Sequence, residues 1–234
     1  GDWSSDVCSS DLSEFFPKPF VRGRNRSIEI RELVNAIFYV NRAGCQWDML
    51  PHDLPNCKTV NHYYNQWRKS GVWTNVNEAL TRAVREQEGR DPNPSVANLD
   101  SQTVKTANQG GQVGYDGGKR ANGRKRHILT DVLGLLLVVC VTAANVQDAV
   151  AGQQVLKQAH DSQDFPRLEI VNADLGYRGP LVEWVESNTS FRLNIKNRPE
   201  GSQGFVVIRQ RWVVERSFAW LDRKSTRLNS SHRT

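Results

Sequence analysis

The feature that most limits what this chain can fold into is a change of hydrophobic period at Glu88–Ser95 (EGRDPNPS). Before this Pro- and Asp-containing linker, apolar residues recur at helical spacing. After it they come in short runs of strand type. Val96–Val104 reads as a first strand, and Arg126–Asp131 and Leu135–Thr142 as two more, joined around Val132–Gly134 as a hairpin. A helix at Asp148–Ala159, a buried strand at Leu168–Ala173, a helix at Leu181–Ser187, a strand at Phe191–Lys196 and a last helix at Val213–Leu221 follow. Three strands and then alternating helix and strand imply an α/β domain, a mixed sheet covered by helices.

The part ahead of the linker is helical. Ser27–Asn41 is amphipathic, with Ser27 suited to cap it and Ile30, Leu33, Val34, Ile37 and Phe38 forming one apolar stripe. Gly44 stops it. Thr59 is placed to cap a second helix, Val60–Lys69, which Gly71 ends, and Val76–Gln87 is a third that turns Leu80, Ala83 and Val84 inward. Three short helices with a tight connection suit a helix-turn-helix-like module. Trp47, Trp67, Trp73, His62, Tyr63 and Tyr64 offer rings that stack on bases, but the tryptophans are read first as the core of a small domain. Asn61, Asn65, Gln66, Arg68 and Lys69 on the second helix offer donors to base edges and phosphates, or form an ordinary solvated face.

The two ends look foreign. Asp2–Leu12 (DWSSDVCSSDL) and Asp222–His232 (DRKSTRLNSSH) are Ser-rich and aperiodic. Suitable codons for the second, read as reverse complement in a shifted frame, encode the first. The pair resembles translated sequencing adapter, so residues 1–19 are expected to be scar and leader and 222–234 a scar tail, Asp222 and Arg223 being equally able to continue the preceding helix, with the natural chain extending beyond both. Between them the expected organisation is a helical domain over 20–90 and a catalytic domain over 95–221.

Composition removes several function classes. With 24% charged residues, and with Val132–Ala144 as its longest apolar run, the chain has no segment that spans a bilayer. No basic stretch followed by an apolar core marks a secretory signal, so a cytoplasmic setting is expected. The four cysteines show neither Cys-x-x-Cys nor Cys/His ligand spacing, which disfavours a disulfide framework or a zinc site. A net charge of +6 fits a polyanionic partner, though weakly. In the glycine-rich stretch 108–123, Lys119 is followed by Arg120, so no Walker spacing exists. Ser101 follows Asp100 with no recognisable Ser-His-Asp set, and His127 inside a strand is read as packed or hydrogen-bonded.

Three carboxylates stand out by position. Asp100 sits within the first strand, Asp174 directly after the buried strand, and Glu215 inside an apolar-aromatic helix. Singly, each has an ordinary explanation: a solvent-facing strand position, a turn former, an exposed ion pair with Arg216. Jointly, a first strand, a central strand end and a late helix can bring three acids to one face. Such a cluster is suited to hard divalent cations, since Mg²⁺ prefers carboxylate oxygen. Two such ions roughly 3.5–4 Å apart can activate a hydroxyl and stabilise the leaving oxygen in phosphodiester cleavage.

Several long stretches in this order, GCQWDMLP (44–51), LDSQTVKT (99–106), GYDGGKRANGRKRHILTDVLGLLL (114–137), NADLGYRG (172–179) and RWVVERSFAWL (211–221), carry a family likeness. Across about residues 20–221 the chain closely resembles DDE-type transposases of bacterial insertion sequences, particularly insertion-sequence family five. The resemblance implies a ribonuclease H-like catalytic core, an acidic triad of Asp100, Asp174 and Glu215 holding two Mg²⁺ (Mn²⁺ substituting), and Arg211 and Arg216 flanking the Glu as DNA contacts. It also implies a dimer or larger assembly that pairs two transposon ends, with double-stranded DNA of the terminal inverted repeats and of the target as partners, in a bacterial, nucleoid-associated setting. Leu175 replaces the family's usual Gly, Ile208 stands where a Tyr is often found, and the basic helix expected after FAWL is absent or overwritten. Lys119, Arg120, Arg124, Lys125 and Arg126 are expected to contact DNA phosphates near Asp100, a solvated basic loop being the alternative. The function expected is DNA strand cleavage and transfer. The alternatives are a truncated remnant that binds DNA without cutting, and an unrelated metal-dependent nuclease on the same core.

Overall fold

The structure is a computed structural model that describes residues 14–17, 28–106, 112–196 and 209–222, with side chains of the last stretch described from 212 onward. Ser27, Ile208, the adapter-like segments apart from Asp222, and the loop's Asn108–Gly111 lie outside the described residues. The described chain forms two compact units, one up to Leu80 and one over Thr81–Leu221.

The first unit holds α1 (Ile30–Ala43), a 3₁₀ turn (Trp47–Met49), α2 (Cys57–Lys69) and most of α3 (Val72–Gln87). Its core joins Leu33, Ile37 and Val40 of α1 to Val60 and Trp67 of α2 and Val72 and Val76 of α3. Gly44 ends α1 in the left-handed conformation with φ 65°, as a C-terminal glycine should. Several details differ from the sequence expectation. Glu29 occupies the N-cap of α1. Asn56 caps α2 through Lys58 N–H, one turn before Thr59. Phe38 is 55% exposed, because Ala36 and Val40 complete the buried stripe instead. Phe16, inside the expected leader, is buried edge-on against Trp67 and Trp73, so the aromatic core draws in chain from before α1.

The second unit is a six-stranded sheet of β1 (Val96–Lys105), β2 (Gly114–Asp116), β3 (Ala121–Asp131), β4 (Leu136–Ala143), β5 (Ile170–Ala173) and β6 (Arg192–Ile195). β3 pairs antiparallel with β1 on one side and with β2 and β4 on the other, while β5 and β6 run parallel to β1. Without the short β2 the order is β4-β3-β1-β5-β6. An antiparallel trio extended by two parallel strands is the ribonuclease H-like order. α4 (Asp148–Asp161) and α5 (Pro180–Asn188) form the crossovers, and α6 (Arg209–Asp222) follows. Asp222, taken from sequence as the first tail residue, is the last residue of α6.

Alternation along the strands assigns the faces. Ala97, Leu99, Leu129, Val138, Val171, Ala173 and Leu193 point to the side covered by α4 and α5, packing on Val155, Leu156, Leu181 and Val185. On the other face Ile128 packs with Val214 and Phe218 of α6. Ala83 of α3, expected inward, is exposed, whereas Arg85 is 4% exposed and ion-paired with the fully buried Asp131.

Candidate nucleic-acid cleavage site

The sheet face that carries Ile128 is polar before it is acidic. Asn172 Nδ2 donates to Asn98 Oδ1 (3.2 Å), and Asn194 Nδ2 donates to Asn172 Oδ1 (3.1 Å). Asn98 Nδ2 in turn donates to Asp131 O (3.3 Å). This amide ladder crosses three parallel strands in register, since Asn98 pairs with Asn172 and Asn172 with Asn194. Its buried polar groups are therefore matched rather than orphaned.

Two residues further along β1 and β5 come Asp100 and, just past the strand end, Asp174. Residues two apart share a face, so Asp100, midway along β1, stands on the face of Asn98, and Asp174 follows Asn172 by the same step just past the end of β5. Backbone N–H groups orient both. Asp100 Oδ1 accepts from Ser101 N (2.7 Å), and Asp174, capping the turn Leu175–Tyr177, accepts through Oδ1 from Gly176 N (2.9 Å). Burial pushes the Tyr177 phenol well above its ordinary pKa, and the carboxylates of Asp100, Asp148 and Asp174 push it the same way. One buried ring thus feels three acids. Its hydroxyl, near Ser101, makes no hydrogen bond of normal geometry.

Glu215 is exposed on α6 beside Val214, whose partner Ile128 is the residue opposite Asp100 in the β1–β3 pairing. The helix therefore lies over the face that carries Asp100. Among the described residues no three His, Cys, Asp or Glu side chains stand close enough to hold a metal ion. The donor set is nevertheless of the right chemistry for a hard cation: all oxygen, with two carboxylates oriented by backbone donors and an orphaned phenol beside them. Leu175 causes no strain at the position where glycine is usual, because it is not among the residues of positive φ.

The basic residues divide by face and depth. Lys119 and Arg120 are exposed on the turn between β2 and β3, where Asp116 Oδ1 accepts from Lys119 N (3.1 Å). Arg126 pairs with Gln102 and Arg124 with Val104, on the face of Asp100, and Arg124 Nε donates to Gln112 O (3.3 Å). Arg68 and Lys69 are exposed in the last turn of α2. Arg211 lies in α6 with its side chain outside the described atoms.

Lys125 requires a correction. It is 7% exposed, and its ammonium pairs with Asp148 (3.1 Å) and Asp116 (3.9 Å) and donates to Val146 O (3.0 Å). An ammonium held this way is an internal counter-charge and is not presented to a phosphate. Arg216 is also turned inward. Its Nη2 donates to Leu133 O (2.6 Å), and its guanidinium lies 4.9 Å from the ring centres of both Trp212 and Trp220.

Asp148 is the residue that sequence reading missed. It accepts from Ser101 Oγ (2.8 Å), and a side chain grown on Gly176 would stand 3.1 Å from Asp174 and 3.7 Å from Asp148. Asp148, Asp116 and Lys125 line an open cavity of about 330 Å³ beside the acidic pair. The signal was present in the strand alternation, which puts Lys125 on the inward side with His127 and Leu129 and so demands acidic partners there. His127 is fully buried with Nε2 3.0 Å from Thr142 Oγ1, in keeping with its sequence reading.

Residues 91–234, more than half of the chain, match the family described as "Transposase DDE domain", and residues 10–77 match "Putative transposase of IS4/5 family". No curated protein matches. Among solved structures, a piggyBac transposase synaptic complex with hairpin DNA is 14% identical, with 47% of this chain and 25% of that chain covered and a TM-score of 0.32. A Mos1 transposase paired-end complex is 10% identical over 74% of this chain and 62% of that chain, with a TM-score of 0.30. The Mos1 strand transfer complex is 12% identical over 91% and 82%, with a TM-score of 0.30. The chain thus spans a quarter of the piggyBac chain and under two thirds of the first Mos1 chain.

Proposed function

The chain belongs to the transposase DDE domain family, and from that premise we propose that it cuts and rejoins DNA at the ends of an insertion sequence, with Asp100, Asp174 and Glu215 as its acidic triad. The observation that supports this reading is the parallel β1–β5 register, in which Asn98 faces Asn172 with Asp100 and Asp174 each two residues further on, while Val214, next to Glu215, packs on Ile128 opposite Asp100.

In this reading Asp100 and Asp174 are the fixed members. Their backbone N–H donors aim one oxygen of each, so the pair is oriented before any ligand arrives and little reorganisation remains. Glu215 closes the set from α6. Divalent cations, Mg²⁺ with Mn²⁺ as substitute, would be held by these three carboxylates and supply Lewis acidity toward the attacking and departing oxygens of a phosphodiester. Lys119, Arg120, Arg124 and Arg126 extend from the acidic pair along β3 and its preceding turn, where their charge would hold the phosphate backbone. The helical domain, with Arg68 and Lys69 at the end of α2, would bind the terminal repeat, and two copies would pair two element ends.

The test is a nicking assay on a duplex bearing the terminal repeat found in DNA flanking the gene. Asp100→Ala is expected to lower Mg²⁺-dependent cleavage about a thousandfold, several kcal/mol of transition-state stabilisation, while DNA retention persists. Retention by the wild-type chain without any cutting would instead identify a DNA-binding remnant. Equal cutting of generic duplex would point to a nuclease.

A further inference from the structure

We propose that the β3–β4 turn is the seat that sets the position of Glu215, with Arg216 and Ser217 as positioning residues. The proposal rests on the reading of Glu215 as the third acid.

The turn is rigid for local reasons. Asp131 accepts through Oδ1 from Leu133 N (2.9 Å) and Leu135 N (2.8 Å), closing an Asx-type turn. Its backbone N–H also donates to Leu135 O (3.0 Å). Through Oδ2 it takes a hydrogen bond from Arg85 Nη1, and Arg85 Nε is anchored on Asp91 O (2.8 Å). Asp131 is fully buried and Arg85 nearly so, which leaves the turn no alternative arrangement that keeps both charges compensated.

Two successive carbonyls of this turn face α6. Leu133 O accepts from Arg216 Nη2 (2.6 Å), and Gly134 O accepts from Ser217 Oγ (2.8 Å). Gly134 has φ 84°, and a Cβ there would lie 2.9 Å from Ser217 Oγ, 3.2 Å from Arg216 Nη2 and 3.2 Å from Val213 Cγ1. The glycine is needed for its left-handed conformation and for the close approach of the helix. Trp212 and Trp220, one turn to either side of Arg216 on the helix, hold its guanidinium between them. With Val214 and Phe218 on Ile128, these contacts fix both the height and the rotation of α6. Glu215 sits between Val214 and Arg216 in sequence, so its direction follows from theirs at about 100° of rotation per residue.

This assigns Arg216 a task distinct from the phosphate contact expected from sequence, and the two make opposite predictions. Arg216→Met and Ser217→Ala are compared with wild type, Asp100→Asn and Glu215→Gln for Mn²⁺ binding by electron paramagnetic resonance, for DNA affinity without metal, and for the Mg²⁺ concentration at half-maximal cleavage. Both seat variants are expected to weaken Mn²⁺ binding and raise the Mg²⁺ requirement about three- to tenfold, with DNA affinity within twofold of wild type. A loss of DNA affinity with a shallower salt dependence and unchanged Mn²⁺ binding in Arg216→Met would overturn the proposal in favour of a phosphate contact. Ser217→Ala removes one hydroxyl only and keeps the comparison readable should Arg216→Met fail to fold. If both seat variants match wild type while Asp100→Asn and Glu215→Gln are impaired, the seat alone is refuted. If Asp100→Asn and Glu215→Gln bind Mn²⁺ normally, the triad reading itself fails.

Discussion

The two faces of the central sheet use the same strands for opposite purposes. Beneath α4 and α5, Leu99, Leu129 and Val171 make an apolar layer, and the buried charges along its strands are compensated among the described residues: Asp131 with Arg85 of α3, Lys125 with Asp148 and Asp116. On the opposite face, the corresponding positions are Asn98, Asn172 and Asn194, followed by Asp100 and Asp174 on backbone donors. The difference teaches that the apolar face holds the fold together, with each buried charge neutralised nearby. The other face maintains a polar platform on which like charges can be brought close.

That contrast can be tested by removing a compensating partner from one face and a matched amide from the other. The largest stability effect is expected for Asp131→Ala. It strands the Arg85 guanidinium and opens the Asx turn, so urea unfolding should show a loss of about 3–5 kcal/mol. A loss below about 1 kcal/mol would mean that the apolar face tolerates charge after all.

His127 is next. Burial lowers its pKa to about 4 from 6.5, with Asp148 opposing and Lys125 reinforcing the shift. The unfolded chain then binds the proton more readily. Its contribution to stability is complete above about pH 6.5, shrinks as pH falls toward 4, and amounts to about 3 kcal/mol across that window. Urea titrations at pH 7.5 and 4.5 should show His127→Asn losing less stability on acidification than wild type. Equal losses would place the acid sensitivity elsewhere. The smallest effect belongs to the platform. Asn172→Ala leaves Asn98 Oδ1 and Asn194 Nδ2 without their partner and is expected to cost about 1–3 kcal/mol, read by the same titration.

Much of the architecture was legible because strand and helix periods are local properties. β1 begins at Val96 as the sequence indicates, α4 begins at Asp148, and the hairpin around Val132–Gly134 is present. The misses have physical causes. β3 starts at Ala121, five residues before the apolar run, because alternating inward positions there are filled by Gly123 and Lys125, which no hydropathy pattern marks as buried. β2 lies in a glycine-rich stretch whose side chains carry no strand signal. Asp100 and Asp174 could be singled out by position in a strand and at a strand end, yet how the two relate depends on the parallel pairing of β1 with β5, which only the folded sheet supplies. Glu215 stood out as an acid among aromatics, while what fixes its helix, two carbonyls of a turn more than eighty residues earlier, is a long-range contact with no local trace.

The β1–β5 pairing also bears on how this protein can fail. Sliding β5 by a single residue would turn every one of its side chains over and send Asp174 to the opposite side of the sheet. No intermediate alignment leaves the two acids half-together. Misalignment of this strand is therefore all-or-none for the relation between Asp100 and Asp174, with no graded series of partly aligned states between.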